Sequence, residues 1–144
     1  MLQLIVGHKK MILEKSKSFV QTREAHRTEL VEDYVEVILE LSEENGEARL
    51  VDIAKRLGVA HPTVSKALKK LEVEGFVTLK PYRGPKLTEQ GEELATRCRL
   101  RHMTVVTFLR ALGVDHATAE IEAEGIEHHV GESTLAIMAN FAKA

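Results

Sequence analysis

The stretch LVDIAKRLGVAHPTVSKALKKLEVEGFVTLKPYRGPKL, residues 50–87, decides the fold. Ile53, Ala54, Leu57, Val59, Val64, Leu68 and Leu71 are spaced to bury one face of a helix pair. Gly58 closes the first helix, about Leu50 to Leu57, and His61-Pro62 opens the second, because proline fits a first helical turn and not an interior. The second helix runs to about Glu74 and stops at Gly75. Phe76-Val77-Thr78-Leu79-Lys80 has strand character, Tyr82-Arg83-Gly84-Pro85 reads as a turn, and Lys86-Leu87 returns as a second short strand. Helix, tight turn, helix and ribbon in this order predict a winged helix-turn-helix.

In the second helix Val64, Leu68 and Leu71 form the inner stripe, and the opposite side carries Pro62, Thr63, Lys66, Lys69 and Lys70. Small and hydroxyl residues near its N-terminus (Pro62, Thr63, Ser65) can approach base edges, while the lysines farther along meet phosphates. Arg83, at the ribbon tip, is placed for the backbone or the minor groove. Such trihelical units also mediate protein contacts. Here pattern, turn residues and charge agree on double-stranded DNA.

The charge is segmental. Residues 49–101 hold 12 Lys/Arg against 6 Asp/Glu, whereas residues 1–48 hold 6 against 10 and residues 102–144 hold 2 against 6. A basic middle between acidic ends predicts two functions on one chain, although the net charge is only −2. With no Trp, two Tyr and four Phe among 144 residues, stacking platforms for single strands are hard to build. No apolar run reaches the roughly 20 residues of a membrane span, and the opening MLQLIVG lacks the features of a signal peptide. A cytoplasmic location and no membrane partner are expected. The single cysteine, Cys98, excludes an intramolecular disulfide framework and any multi-cysteine zinc site.

Working outward, Leu30, Val31, Tyr34, Val35, Ile38 and Leu41 recur at helical spacing between Thr22 and about Glu44, and Asn45-Gly46 is a stop. Residues 1–21 are mixed, and an ordered arm and a loose tail both fit them. Thr88 caps a long helix, Glu89 to Leu112, Asp115 starts another to about Val130, and Gly131-Glu132-Ser133 starts the last.

The acidic ends carry a second pattern. Asp33 and Glu36, at i and i+3, share a helix face, and Glu124, Glu127 and His128, at i, i+3 and i+4, project within about 100° of one another. Four carboxylates brought close repel unless protonated or neutralised by cations. His102, on the long helix, is a nitrogen donor for such a mixed sphere. Spacing alone does not bring the three helices together, so solvated surface charge and a metal site both stay open at this point. The order is neither His-Glu-x-x-His nor its inverse, which disfavours a hydrolytic zinc site. A buried, inert thiol suits Cys98, and His129 points about 100° away from His128. Nothing supports a nucleophilic triad, a phosphate-cradling loop or a dinucleotide fingerprint, so no enzyme is expected.

EDYVE at 32–36, the winged helix, RH at 101–102 and AEGIEHHV at 123–130 together resemble the diphtheria toxin repressor family, over residues 22–140. The match is closest to its manganese-responsive branch. The resemblance implies a mainly α protein: an N-terminal winged helix-turn-helix domain of three helices and a two-stranded wing, followed by a helical dimerisation domain. The corresponding boundaries are an extension at 1–21, a DNA-binding domain at 22–92 and a metal-binding and dimerisation domain at 93–144. It also implies a homodimeric repressor of metal transport genes on a palindromic operator, with Mn(II) as corepressor. Asp33, Glu36, His102, Glu124, Glu127 and His128 are then the metal ligands, holding one Mn(II) ion or two per subunit. Iron-responsive relatives have a sulfur-bearing residue where Glu124 stands, and a carboxylate there makes a harder sphere. The SH3-like third domain of larger relatives is not expected. Competing expectations are an iron- or zinc-responsive repressor of the same architecture, a winged-helix regulator sensing a small organic ligand, and a small dinuclear metalloenzyme.

Overall fold

The computed structural model describes the backbone of residues 1–144 and every side chain except those of Ala25 and Arg27. Helix α1 runs unbroken from Leu2 to Asn45, 44 residues. Periodicity reads a helix only from Thr22. The earlier half contains no proline and is rich in helix formers, so local propensity carries the helix there, with the chain exposed along residues 1–24. Past that point Tyr34, Val37, Ile38 and Leu41 turn inward.

These four side chains join Ile53 and Ala54 of α2 (Leu50–Leu57), Val64, Leu68 and Leu71 of α3 (His61–Val73), and Val77 in the first core. Full burial of each larger aliphatic residue contributes about 1.5–3 kcal/mol. Gly58 ends α2 at φ 68°, a left-handed conformation that costs glycine little. The wing pairs β1 (Val77–Thr78) antiparallel to β2 (Lys86–Leu87), with Val77 opposite Leu87 and Thr78 opposite Lys86. It is shorter than the strand character of Phe76–Lys80 suggests, because the Leu79 N–H donates to a carboxylate oxygen of Glu72 (2.9 Å) and leaves the ladder. Gly84 presses the wing onto the loop after α1: a Cβ there would lie 2.0 Å from the Ala48 carbonyl oxygen.

The long helix α4 (Glu89–Ala111) leaves the wing directly. Thr88 caps it, its hydroxyl accepting from the Gly91 N–H (3.1 Å) and donating to the Gly75 carbonyl (2.6 Å). The far end of α4 enters a second core, where Val105, Val106 and Leu109 meet Ala119 and Ala123 of α5 (His116–Ile126) and Leu135 of α6 (Glu132–Lys143). Phe108 and Phe141 meet edge to face, centroids 5.5 Å apart. The fold is mainly α, with the small wing as its only sheet among the described residues. No helix of the described residues is long and apolar enough to cross a membrane.

Candidate metal centre and nucleic-acid interface

Three elements meet between the two cores: the second half of α1, the middle of α4 and the end of α5. The sequence reads α5 as continuing to about Val130. Instead it stops at Ile126, and Glu127–His129 tighten into a 3-10 turn. The tighter winding drives Glu127 and His128 inward, both side chains 0% exposed, while Glu124 stays 60% exposed at the rim.

His102 Nδ1 lies 2.9 Å from Glu127 Oε2 and 3.6 Å from Glu124 Oε1. Its Nε2 lies 2.7 Å from Glu120. His128 Nδ1 lies 2.6 Å from Glu32, and its Nε2 faces Asp33 Oδ1 at 3.0 Å and Glu127 Oε1 at 3.3 Å. One ligand atom from each of His102, Glu124 and Glu127 falls within 4.8 Å of the other two, and Glu29, Asp33 and His128 form a second such trio. Glu36 is buried and, with Asp33, Glu124 and Arg56, lines a cavity of about 270 Å³ beside them.

The proton affinities show what this crowding costs. Burial, then the charges of Glu124 and Glu40, raise Glu36 to about 7. Burial, then the charge of Glu36, raise Glu127 to about 8, and burial also moves Glu124 upward. Burial works against protonating His128, yet the carboxylates of Asp33 and Glu32 beside its ring raise it to about 10. His102 also rises, against its burial, through Glu120 and the charges of Glu127 and Glu124. Without a cation, protons hold the cluster together.

Two buried atoms of the cluster are left open for a cation. Glu127 Oε1 and His128 Nε2 have no hydrogen-bond partner, although both are sealed from solvent. Native interiors rarely leave such atoms unpaired, and an ion-binding site is a standard reason for one that does. Carboxylate oxygens with two imidazoles suit Mn(II), Fe(II) or Zn(II).

Sequence reasoning missed four participants. Glu32 is ion-paired with Arg101, and burial of its carboxyl is outweighed by hydrogen bonds from His128 and Arg101, which hold it below its ordinary range. Glu120 and Glu29 each stand four residues before a candidate, Glu124 and Asp33, and Glu32 and Arg101 are immediate neighbours of Asp33 and His102. The only available signal was helical adjacency, which many solvated residues share. Cys98 is buried, with burial pushing its thiol up to about 12, so it is inert as a ligand. His129 lies at the rim, 3.2 Å from Glu29.

On the other side of the first core, Pro62, Thr63, Lys66, Lys69 and Lys70 are exposed along α3, and Ser65 is half-buried. A concavity of about 580 Å³ separates α3 from the wing, lined by Ser65, Lys69, Lys80, Tyr82 and Arg83 among others. Tyr82, fully exposed at the wing tip with φ 62°, is a feature the sequence reading did not single out.

A winged helix-turn-helix with an open basic face, sharing α1 with a buried carboxylate–imidazole cluster, defines a metal-dependent DNA-binding transcriptional regulator. The chain belongs to the iron dependent repressor family: residues 26–85 match its N-terminal DNA binding domain and residues 88–144 its metal binding and dimerisation domain. The transcriptional regulator MntR of Salmonella typhi is 53% identical over 122 residues, 85% of this chain and 78% of that protein. The HTH-type transcriptional regulator MntR of Bacillus subtilis is 39% identical over 108 residues, 75% of this chain and 76% of that one. Among solved structures, the manganese regulator SloR superposes with a TM-score of 0.69 at 32% identity, covering 78% of this chain and 53% of its own. A manganese-dependent transcriptional repressor in complex with manganese gives 0.72 at 29%, covering 78% and 52%. The chain spans about half the length of these two structures. Its relatives are regulators, which sets the metalloenzyme expectation aside.

Proposed function

We propose that the chain is a manganese-dependent repressor, Mn(II) acting as corepressor for metal transport genes, and that a homodimer binds a palindromic operator. The observation that carries this reading is the buried, unpartnered pair of Glu127 Oε1 and His128 Nε2, 3.3 Å apart and surrounded by acid oxygens. The proposed ligands are Asp33, Glu36, His102, Glu124, Glu127 and His128. Glu127 turns one oxygen toward His102 and the other toward His128, which supports two ions per subunit with this carboxylate shared. The all-oxygen-and-nitrogen donor set, with Glu124 rather than a sulfur ligand, and the likeness to the manganese regulator SloR and to the manganese-dependent repressor favour manganese.

Bound there, divalent cations supply the positive charge that lets these carboxylates stay ionised side by side. The rest belongs to the chain. Tyr34, Val37, Ile38 and Leu41 fix α1 to the winged helix, while Asp33 and Glu36 on the same helix face His102, Glu127 and His128 of the helical domain. Setting this interface sets the angle of α3 relative to the rest of the subunit. We assign the winged-helix unit to residues 22–92, the metal-binding and dimerisation unit to 93–144, and treat 1–21 as an extension. In a symmetric dimer two α3 helices near one DNA turn apart, roughly 34 Å, enter successive major grooves. Pro62, Thr63 and Ser65 face base edges, Lys66, Lys69 and Lys70 face phosphates, and Arg83 reaches from the wing. Raising a binding-competent arrangement from 1:99 to 99:1 requires about 5.5 kcal/mol of differential affinity.

The test is binding of the purified protein to its own upstream DNA at fixed salt, with chelator and then with Mn(II), Fe(II) or Zn(II). Mn(II) is expected to tighten binding at least about tenfold, reversibly. Glu124→Ala is expected to remove that response and leave a folded dimer. Equal binding with and without metal overturns the reading, and activation by Fe(II) or Zn(II) alone overturns the choice of manganese.

A further inference from the structure

Glu29 stands one helical turn before Asp33 on α1, so the two side chains share a face. A carboxylate oxygen of Glu29, one of Asp33 and a ring nitrogen of His128 lie within 4.8 Å of one another. Asp33 and His128 face each other at 3.0 Å between Oδ1 and Nε2.

The ring of His128 shows where this trio points. Its side chain is 0% exposed, and Nδ1 is taken by Glu32 at 2.6 Å. In its neutral form a ring that donates from Nδ1 presents a lone pair on Nε2, and in the structure that nitrogen has no hydrogen-bond partner. A histidine oriented by a carboxylate behind it, with its free nitrogen aimed at acid oxygens, is the usual preparation of a metal ligand. Asp33 and Glu127 flank that nitrogen, and Glu29 stands on the α1 side of it. Glu29 is itself held: His26 Nδ1 lies 3.3 Å and His129 Nε2 3.2 Å from its Oε2, and its side chain is only 21% exposed.

We infer that Glu29 is a protein ligand of the second cation, completing with Asp33, Glu127 and His128 a site separate from the trio of His102, Glu124 and Glu127. His26 and His129 then act as positioning residues for the Glu29 carboxylate. This rests on the metal-centre reading above, and the experiment separates the two.

Chelator-stripped protein, Glu29→Gln and Glu29→Ala are titrated with Mn(II) alone by calorimetry, and paramagnetic resonance follows the approach of two ions. Wild type is expected to bind two ions per chain with the spectrum of a coupled pair. Both variants are expected to keep one ion at wild-type affinity and to weaken the other at least about tenfold, giving an isolated-ion spectrum at stoichiometric loading. Unaltered helicity and metal-free melting temperature exclude a folding defect. Two ions of wild-type affinity in both variants overturn the role of Glu29 and leave the centre intact. One ion or none in wild type overturns the second site itself, and none overturns the metal-centre reading with it.

Discussion

Glu127 and His128 are neighbours in sequence, both sealed from water, and both hold protons that an isolated side chain releases at neutral pH. Their ordinary values are 4.5 and 6.5, raised to about 8 and about 10, and Glu36 moves from 4.5 to about 7. For all three groups the folded chain binds more protons than the unfolded chain above the ordinary value. Stability of the metal-free protein therefore falls as pH rises, through 4.5 to about 8 for the glutamates and 6.5 to about 10 for His128. Glu32, lowered rather than raised, has the opposite sign and acts only in acid. The melting temperature in chelator is expected to be lower at about pH 9 than at about pH 6, with the gap narrowed by Mn(II), which takes the place of the protons. A melting temperature independent of pH removes this account. At the outer face of α3, Lys69→Ala is expected to weaken DNA binding about equally across sequences and to reduce the salt slope by about 1. A titration of affinity against salt reads it directly.

Among the elements, the wing and the turn after α5 make the sharpest contrast. Gly84→Ala places a Cβ against the Ala48 carbonyl, a backbone atom that cannot move aside cheaply. The expected cost is about 1–3 kcal/mol, read as a lower urea midpoint, with weaker DNA binding because Arg83 moves with the wing. The winged helix was legible in the sequence because its signals are local: Gly58, the His61-Pro62 start, Gly75 and the inner stripe of Val64, Leu68 and Leu71 act within a few residues. The N-terminal half of α1 was not legible, since a helix exposed all round leaves no apolar period to read. The 3-10 turn at Glu127–His129 has no local punctuation, and packing against α1 sets it. The candidate ligands could be grouped by helix, but which histidine faces which carboxylate depends on distances across 25 residues for His102 to Glu127 and 96 for His128 to Glu32. Spacing carries no information at that range.

On the scale of the whole molecule, the two cores communicate through α1 and α4. Arg99 reaches Glu43 through two hydrogen bonds, 2.8 and 3.2 Å, and Arg101 reaches Glu32, so each arginine ties α4 to α1 on its own side of the cluster. Exposed pairs such as the first contribute little. The interface depends instead on the buried acids and histidines, and it is strained without a counter-charge. Amide exchange is expected to slow on adding Mn(II) at residues 29–37 and 124–129, with little change inside α3. Protection spread evenly over the chain contradicts a local clamp at that interface.

The unbroken course of α1 has a consequence for how chains of this kind vary in length. Between residues 29 and 41 the helix gives one face to the cluster, with Glu29, Glu32, Asp33 and Glu36, and another to the first core, with Tyr34, Val37, Ile38 and Leu41. One inserted residue there turns everything downstream by about 100°, which throws one set out of phase with its partners whichever way the helix settles. Additions and losses are tolerated along residues 1–24, where the helix is exposed, or after Gly46, where it has ended. The segment between works as a ruler with marks on both edges: substitutions can rewrite the marks, but its length is not free to change.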